Sequence, residues 1–294
     1  MANTRGIRRR IRSVKNTAQI TKAMQMVATS KMRRAQQAAL VGHPYADQMN
    51  KILTWIRKAE QKELLHPFFE SREVKRPCVL LITTDRGLCG PLNSNLLREA
   101  MKLSPETQFV TLGKKGRQFV VRTKRNLLAE FNLKDNASFA QVKQVAQFLI
   151  DKFLAKEIDS ISVLFSQFTS VLLQTPVLDE VVPVAPIREM EVVSRGKPAP
   201  VKPLDEEPPH EYLFEPSPHA VLEKLLPFYV HFIVYQMFLD AKASEHSARM
   251  VAMKNATDNA KQMVKDLTLE YNKARQAAIT NELLDITTAQ SSMN

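Results

Sequence analysis

Glycine is scarce in this 294-residue chain, at seven residues. So few argues against a loop-rich or all-β protein, whose turns need positive φ, and favours long helices. Cysteine is scarcer. Cys78 and Cys89 have neither CxxC spacing nor histidines at ligand spacing, which argues against zinc and suits a reducing compartment. The histidines are scattered and form no HExxH pair. No run of roughly 18 apolar residues occurs, so no membrane insertion is expected. The richest stretch, YVHFIVYQMFL, is too short and carries His231 and Gln236. Acid is wholly missing from residues 1–46, where ten basic residues stand: Arg5, Arg8, Arg9, Arg10, Arg12, Lys15, Lys22, Lys31, Arg33 and Arg34.

The net charge of +12 is therefore concentrated, since the other 248 residues sum to +2. A segment of this kind creates a strong local positive field. It fits nucleic acid, an acidic membrane surface or acidic loops on another protein. An acid-free, Arg-rich start also has the composition of a mitochondrial transit peptide. The periodicity that follows assigns it to the mature protein instead.

What is present is a repeat of alternating four- and three-residue steps. It passes through Ile7, Ile11, Val14, Ala18, Thr21, Gln25, Ala28, Met32, Ala35, Ala39 and Gly42. Such a 3.5-residue period marks a left-handed coiled coil. Pro44 is expected to kink or interrupt the helix, and the pattern resumes through Met49, Ile52, Leu53 and Ile56. The same steps run from Phe232, Gln236, Leu239, Ala243 and His246 to Tyr271, Ala274 and Ala278, with no Pro or Gly after Phe228. A helix from about Pro218 to Thr288 would be roughly 105 Å long, and one from Thr4 to Ala59 roughly 80 Å. Helices this long and polar need a partner helix, and flanking a middle segment they can pair antiparallel. Both seams are short of Leu and rich in Ala, Thr, Gln and Met. Small residues let axes approach, and Met adapts its shape. The longer C-terminal helix should project past its partner, ending in QAAITNELLDITTAQSSMN, which has two acids, Glu282 and Asp285, and no base.

Between the helices, CVLLITT and TQFVTLG read as buried strands, SFAQVKQVAQFLIDKFL as an amphipathic helix, and SISVLFSQFTSVLLQTPVLDEVVPV as two more strands. This alternation predicts a small α/β domain with a mainly parallel sheet. The stretch that follows holds seven of the sixteen prolines and reads as an extended linker. The segments expected are 1–60 (N-terminal helix), 75–197 (α/β domain), 198–217 (linker) and 218–290 (C-terminal helix). The turn TTDRGLCGPLN has the outline of a phosphate loop but only GxxG, short of both GxGxxG and GxxxxGK[ST], so its glycines read as structural. Asp85 and Arg86 are expected to cap and brace the loop and the following helix.

QITKAMQMVATSKMRRAQ, TTDRGLCGPLN, SEHSARMVAMKNATDNA and YNKARQAAITNELLDI, in that order, resemble the gamma subunit of rotary proton-translocating ATP synthases, and the likeness runs from about Ile7 to Ile286. It implies an α/β fold with long helices: an antiparallel coiled coil of the two termini plus a small Rossmann-like α/β foot domain that holds no nucleotide or other cofactor. It also implies a non-catalytic central shaft that couples proton flow to ATP synthesis or hydrolysis. The implied partners are the alpha and beta subunits, the epsilon subunit and the membrane c ring. The resemblance places Lys22, Met24, Lys31, Arg33 and Arg34 in or near the zone facing the beta subunits. Arg275, Gln276, Thr280 and Glu282 fall at ring contacts, and Leu283, Leu284 and Ile286 toward an apolar bearing. It points to a bacterial protein peripheral to the cytoplasmic face of the plasma membrane. Pro91 stands where the family usually has a small residue, and can begin the next helix. Two alternatives are a basic coiled coil that binds nucleic acid, weakened by having only Tyr45 to stack on in its basic segment, and a nucleotide-dependent enzyme with helical extensions.

Overall fold

A computed structural model describes residues 4–59, 66–69, 74–184, 215 and 217–291. The Pro-rich linker therefore falls almost wholly outside the described residues. The elements are α1 (Thr4–Ala59), β1 (Pro77–Ile82), α2 (Leu92–Lys102), β2 (Gln108–Leu112), α3 (Lys114–Arg122), β3 (Asn126–Phe131), α4 (Phe139–Leu154), β4 (Ser160–Phe168), β5 (Gln174–Val182) and α5 (Pro218–Ser291). They form two compact units, residues 29–248 and residues 1–28 with 249–294.

The larger unit is built on one sheet in the order β3-β2-β1-β4-β5. The first four strands are parallel, and β5 returns antiparallel to β4. A parallel sheet is covered on both faces, which is why β1 reads as an unbroken apolar run. Val79 and Leu81 pack with Leu96 and Ala100 of α2 and with Phe119 and Val120 of α3. Cys78, Leu80 and Ile82 face the other way, against α4 and parts of α1 and α5. Handedness explains the division. The steps β1–β2 and β2–β3 move outward in one direction, whereas β3–β4 returns across the sheet, so a right-handed crossover puts α4 on the opposite face. Val142, Val145, Ala146, Leu149 and Phe153 of α4 are buried, as the helical spacing predicts. A capping box of Ser138 and Gln141 fixes its start, the Ser138 N–H donating to Gln141 Oε1 at 3.0 Å.

The early half of α5 departs from a one-seam coiled coil. From Tyr229 to Ala248 every residue is buried except Tyr235 and Asp240, which are part-shielded. Sheet, α4 and α1 surround it, covering its apolar residues on several faces together with buried polar groups such as Lys242, Glu245 and His246. Within this unit α1 and α5 run antiparallel. A Cβ on Gly42 would overlap the Gln236 amide, and Tyr45 packs on Phe228 and Phe232. Pro44 does not interrupt α1, and Pro227 lies inside α5. Each proline removes one backbone donor from a helix that many other contacts hold in place.

In the smaller unit the two helices meet through the expected seam. Ala28, Met253, Thr257, Ala260 and Leu267 are buried. Thr21 and Thr257 join across it, hydroxyl to hydroxyl, at 2.7 Å.

Candidate functional site

An open α/β sheet binds ligands at the carboxyl ends of its strands, where the strand order reverses. Here that point lies between β1 and β4, and the loop TTDRGLCGPLN leads away from it. Its polar groups are committed within the chain. The Thr84 N–H donates to Asn93 Oδ1, and Asn93 Nδ2 donates to Thr84 Oγ1 at 2.7 Å. The opening amides of α3, a natural anion cradle, are taken as well. The Lys114 N–H donates to Asp85 Oδ1 at 3.0 Å, that of Lys115 to the Thr84 carbonyl, and that of Gly116 to Thr83 Oγ1 at 2.8 Å. Asp85 thus caps α3 and not the α2 that follows it in sequence. The start of α2 is marked by Pro91, its N-cap residue. The crevice itself is closed by α5: Ala248 packs with Cys89 and Leu92, and Ser247 Oγ donates to the Val171 carbonyl at 2.8 Å.

The second feature is the far end of α5, in the smaller unit. The seam residues Val264, Leu267, Tyr271, Ala274 and Ala278 are all at least part-shielded. Ala278 is the last of these, and from Ile279 to Thr288 every residue is exposed. Leu283, Leu284 and Ile286 stand 58, 57 and 58 % exposed, although apolar side chains normally seek cover. The hydroxyls of Thr280, Thr287 and Thr288 donate to carbonyls on their own helix, so they seal the backbone without presenting charge.

The side chains expected to act from sequence are distributed over both units. Lys22, Arg275, Gln276, Thr280 and Glu282, all in the smaller unit, are exposed, and Met24 is part-shielded. Lys22 Nζ donates to Gln25 Oε1 at 3.3 Å. Arg33 and Arg34 are exposed in the larger unit. Lys31 has an intramolecular partner, with its Nζ 2.7 Å from Asp135 Oδ2.

Sequence reasoning missed the cluster that Lys31 joins. Asp135, in the β3–α4 loop, also lies 3.3 Å from Lys242 Nζ and 3.8 Å from His246 Nε2. Lys242 pairs in turn with Glu245 at 3.0 Å. Burial works against the Asp135 charge, but the Lys31 hydrogen bond and the nearby positive groups outweigh it and hold the carboxyl at about 2. Burial likewise opposes the Lys242 charge, and Glu245 and Asp135 overcome it, so its pKa is raised. Only the i,i+3 spacing of Lys242 and Glu245 was visible in the sequence. Asp135 lies 104 residues from Lys31 and 107 from Lys242.

Fold and site define an α/β domain with long terminal helices, one of which packs over the segments that follow β1 and β4 and ends in an exposed stretch carrying Leu283, Leu284 and Ile286. The family model described as ATP synthase matches residues 3–293. The ATP synthase gamma chain of Methylacidiphilum infernorum is 52% identical over 304 residues, covering 100% of both chains. That of Opitutus terrae is 50% identical, covering 99% of this chain and 98% of its own. Among solved structures, a chain of the Euglena gracilis mitochondrial ATP synthase rotor superposes with a TM-score of 0.64 at 21% identity, covering 94% of this chain and 98% of that one. This chain belongs to the ATP synthase gamma chain family. That membership displaces the nucleic-acid alternative. Among the described residues no helix is long and apolar enough to cross a membrane.

Proposed function

We propose that this chain is the central-stalk rotor of its ATP synthase, a non-catalytic subunit that passes torque between the membrane c ring and the alpha–beta catalytic ring. It thereby couples proton flow to ATP synthesis or hydrolysis. The observation that carries this reading is the ten-residue exposed end of α5, in a chain matched along its whole length by gamma chains. An exposed end that presents Leu283, Leu284 and Ile286 and carries two acids but no base suits a bearing, because deep ion pairs would trap a turning part at one angle. Leu283, Leu284 and Ile286 form that bearing. Arg275, Gln276, Thr280 and Glu282 face the ring just below it. Lys22, Met24, Lys31, Arg33 and Arg34 lie near acidic loops of the beta subunits, with the positive field of α1 giving attraction of long reach. The α/β domain at 75–197 serves as the foot, contacting epsilon and the c ring, and residues 1–60 and 218–290 serve as the shaft. The complex sits on the cytoplasmic face of a bacterial plasma membrane, with this chain peripheral to it.

The test is reconstitution of the whole enzyme in vesicles with Leu283→Asp and Leu284→Asp together. The expected result is continued ATP hydrolysis with proton pumping per ATP markedly reduced. Pumping at the normal ratio would overturn the bearing assignment.

A further inference from the structure

Apolar contacts hold α1 and α5 to the sheet, but such contacts are non-directional and allow small sliding. The Asp135 cluster adds what they lack. One carboxylate on the β3–α4 loop receives Lys31 from α1 at 2.7 Å and Lys242 from α5 at 3.3 Å, with His246 one turn further along α5. The side chain of Lys242 is 4 % exposed and that of Glu245 6 %. A cation so deeply desolvated tolerates little displacement from its anions. The loop is itself anchored, because the Ser138–Gln141 capping box begins three residues after Asp135. Both helices are therefore tied to one point of the sheet domain. In sequence, that point lies close to where each helix leaves the larger unit, after Ala248 on α5 and before Thr29 on α1.

We propose that Asp135 is a positioning residue for rotary coupling: it pins both terminal helices to the foot domain, so that twist applied to the foot reaches the helix pair without slip in register. This rests on the rotor reading above. Asp135 touches no substrate and acts through Lys31 and Lys242. Its side chain is 34 % exposed, and without it Lys242 still has Glu245, so Asp135→Asn should fold and assemble.

The experiment uses the assembled enzyme with the catalytic end locked and a bead on the foot, and reads thermal angular fluctuation together with proton pumping per ATP. Asp135→Asn is expected to broaden the angular variance about twofold and to lower pumping against a large proton gradient, with only a modest fall in thermal stability because Glu245 still faces Lys242. Asp135→Glu, which keeps the charge, should restore most of both. Should Asp135→Asn fail to assemble, Lys31→Met removes one leg at a half-exposed site, and its variance alone is read, with a smaller broadening expected. Wild-type variance in whichever of these assembles overturns the proposal. So does a loss of thermal stability with stiffness intact, which is the mark of a merely structural role. If the wild-type bead does not turn with ATP once the catalytic end is released, the rotor reading itself has failed, and that outcome is distinct from the others.

Discussion

Two residues show how local chemistry is set by what lies opposite in space. Gly113 has a φ of 106°, and a Cβ placed on it would overlap the Thr83 carbonyl oxygen. Gly113→Ala should therefore destabilise the chain by about 1–3 kcal/mol from backbone strain, before any clash is counted, which a denaturant titration of the full chain would detect. Asp240, on the enclosed half of α5, has its carboxyl pushed up by burial to about 7. Its folded pKa lies above the unfolded value of about 3.9, so the folded state holds a proton that the unfolded state releases. Stability from this group should then fall as pH rises from about 4 to about 7. Asp240→Asn should flatten that slope, raising the melting temperature at pH 8 while leaving it nearly unchanged at pH 4. An unaltered slope would mean that Asp240 is better hydrated than its surroundings indicate.

Elements of this protein are decided by how each is covered. The long helices form because their sequences are rich in Ala, Met, Gln, Lys and Arg, which favour helix, and because their seams give each a partner. The Thr21–Thr257 bond sits in that seam with both hydroxyls shielded. Thr257→Val preserves shape and removes one hydroxyl, leaving Thr21 Oγ with only the Ala18 carbonyl, to which it already donates. The expected cost is about 1 kcal/mol, read as a fall in melting temperature; a rise would show that a polar seam costs stability here. Strand β1 was legible as a buried parallel strand, since CVLLI is apolar at every position. Strand β3 was not: NLLAEF is half-exposed at the sheet edge and mixes charge with apolar residues. Helix α3 escaped as well, being short and holding Gly116, against which Thr83 packs closely.

At the scale of the molecule, the charge distribution carries the clearest expectation. Ten bases without an acid in residues 1–46 should speed encounter with acidic surfaces of the catalytic ring. The association rate with a preformed alpha–beta ring should fall as salt rises and the screening length shrinks from about 10 Å at 0.1 M to about 3 Å at 1 M. Replacing Arg8, Arg9 and Arg10 by Gln should weaken that salt dependence, while a rate indifferent to salt would remove the basic segment from assembly. The sequence by itself determined the two helices, their seam and the bare helix end, because a repeat of 3.5 residues and a run without a basic residue are properties of neighbouring residues. Only the tertiary structure decided that α5 fills the crevice at β1 and β4, that Asp85 caps α3, and that Asp135 gathers Lys31 and Lys242. Each of those facts joins groups far apart in the chain, and their meeting is fixed by the handed crossings of the sheet, which no local pattern records.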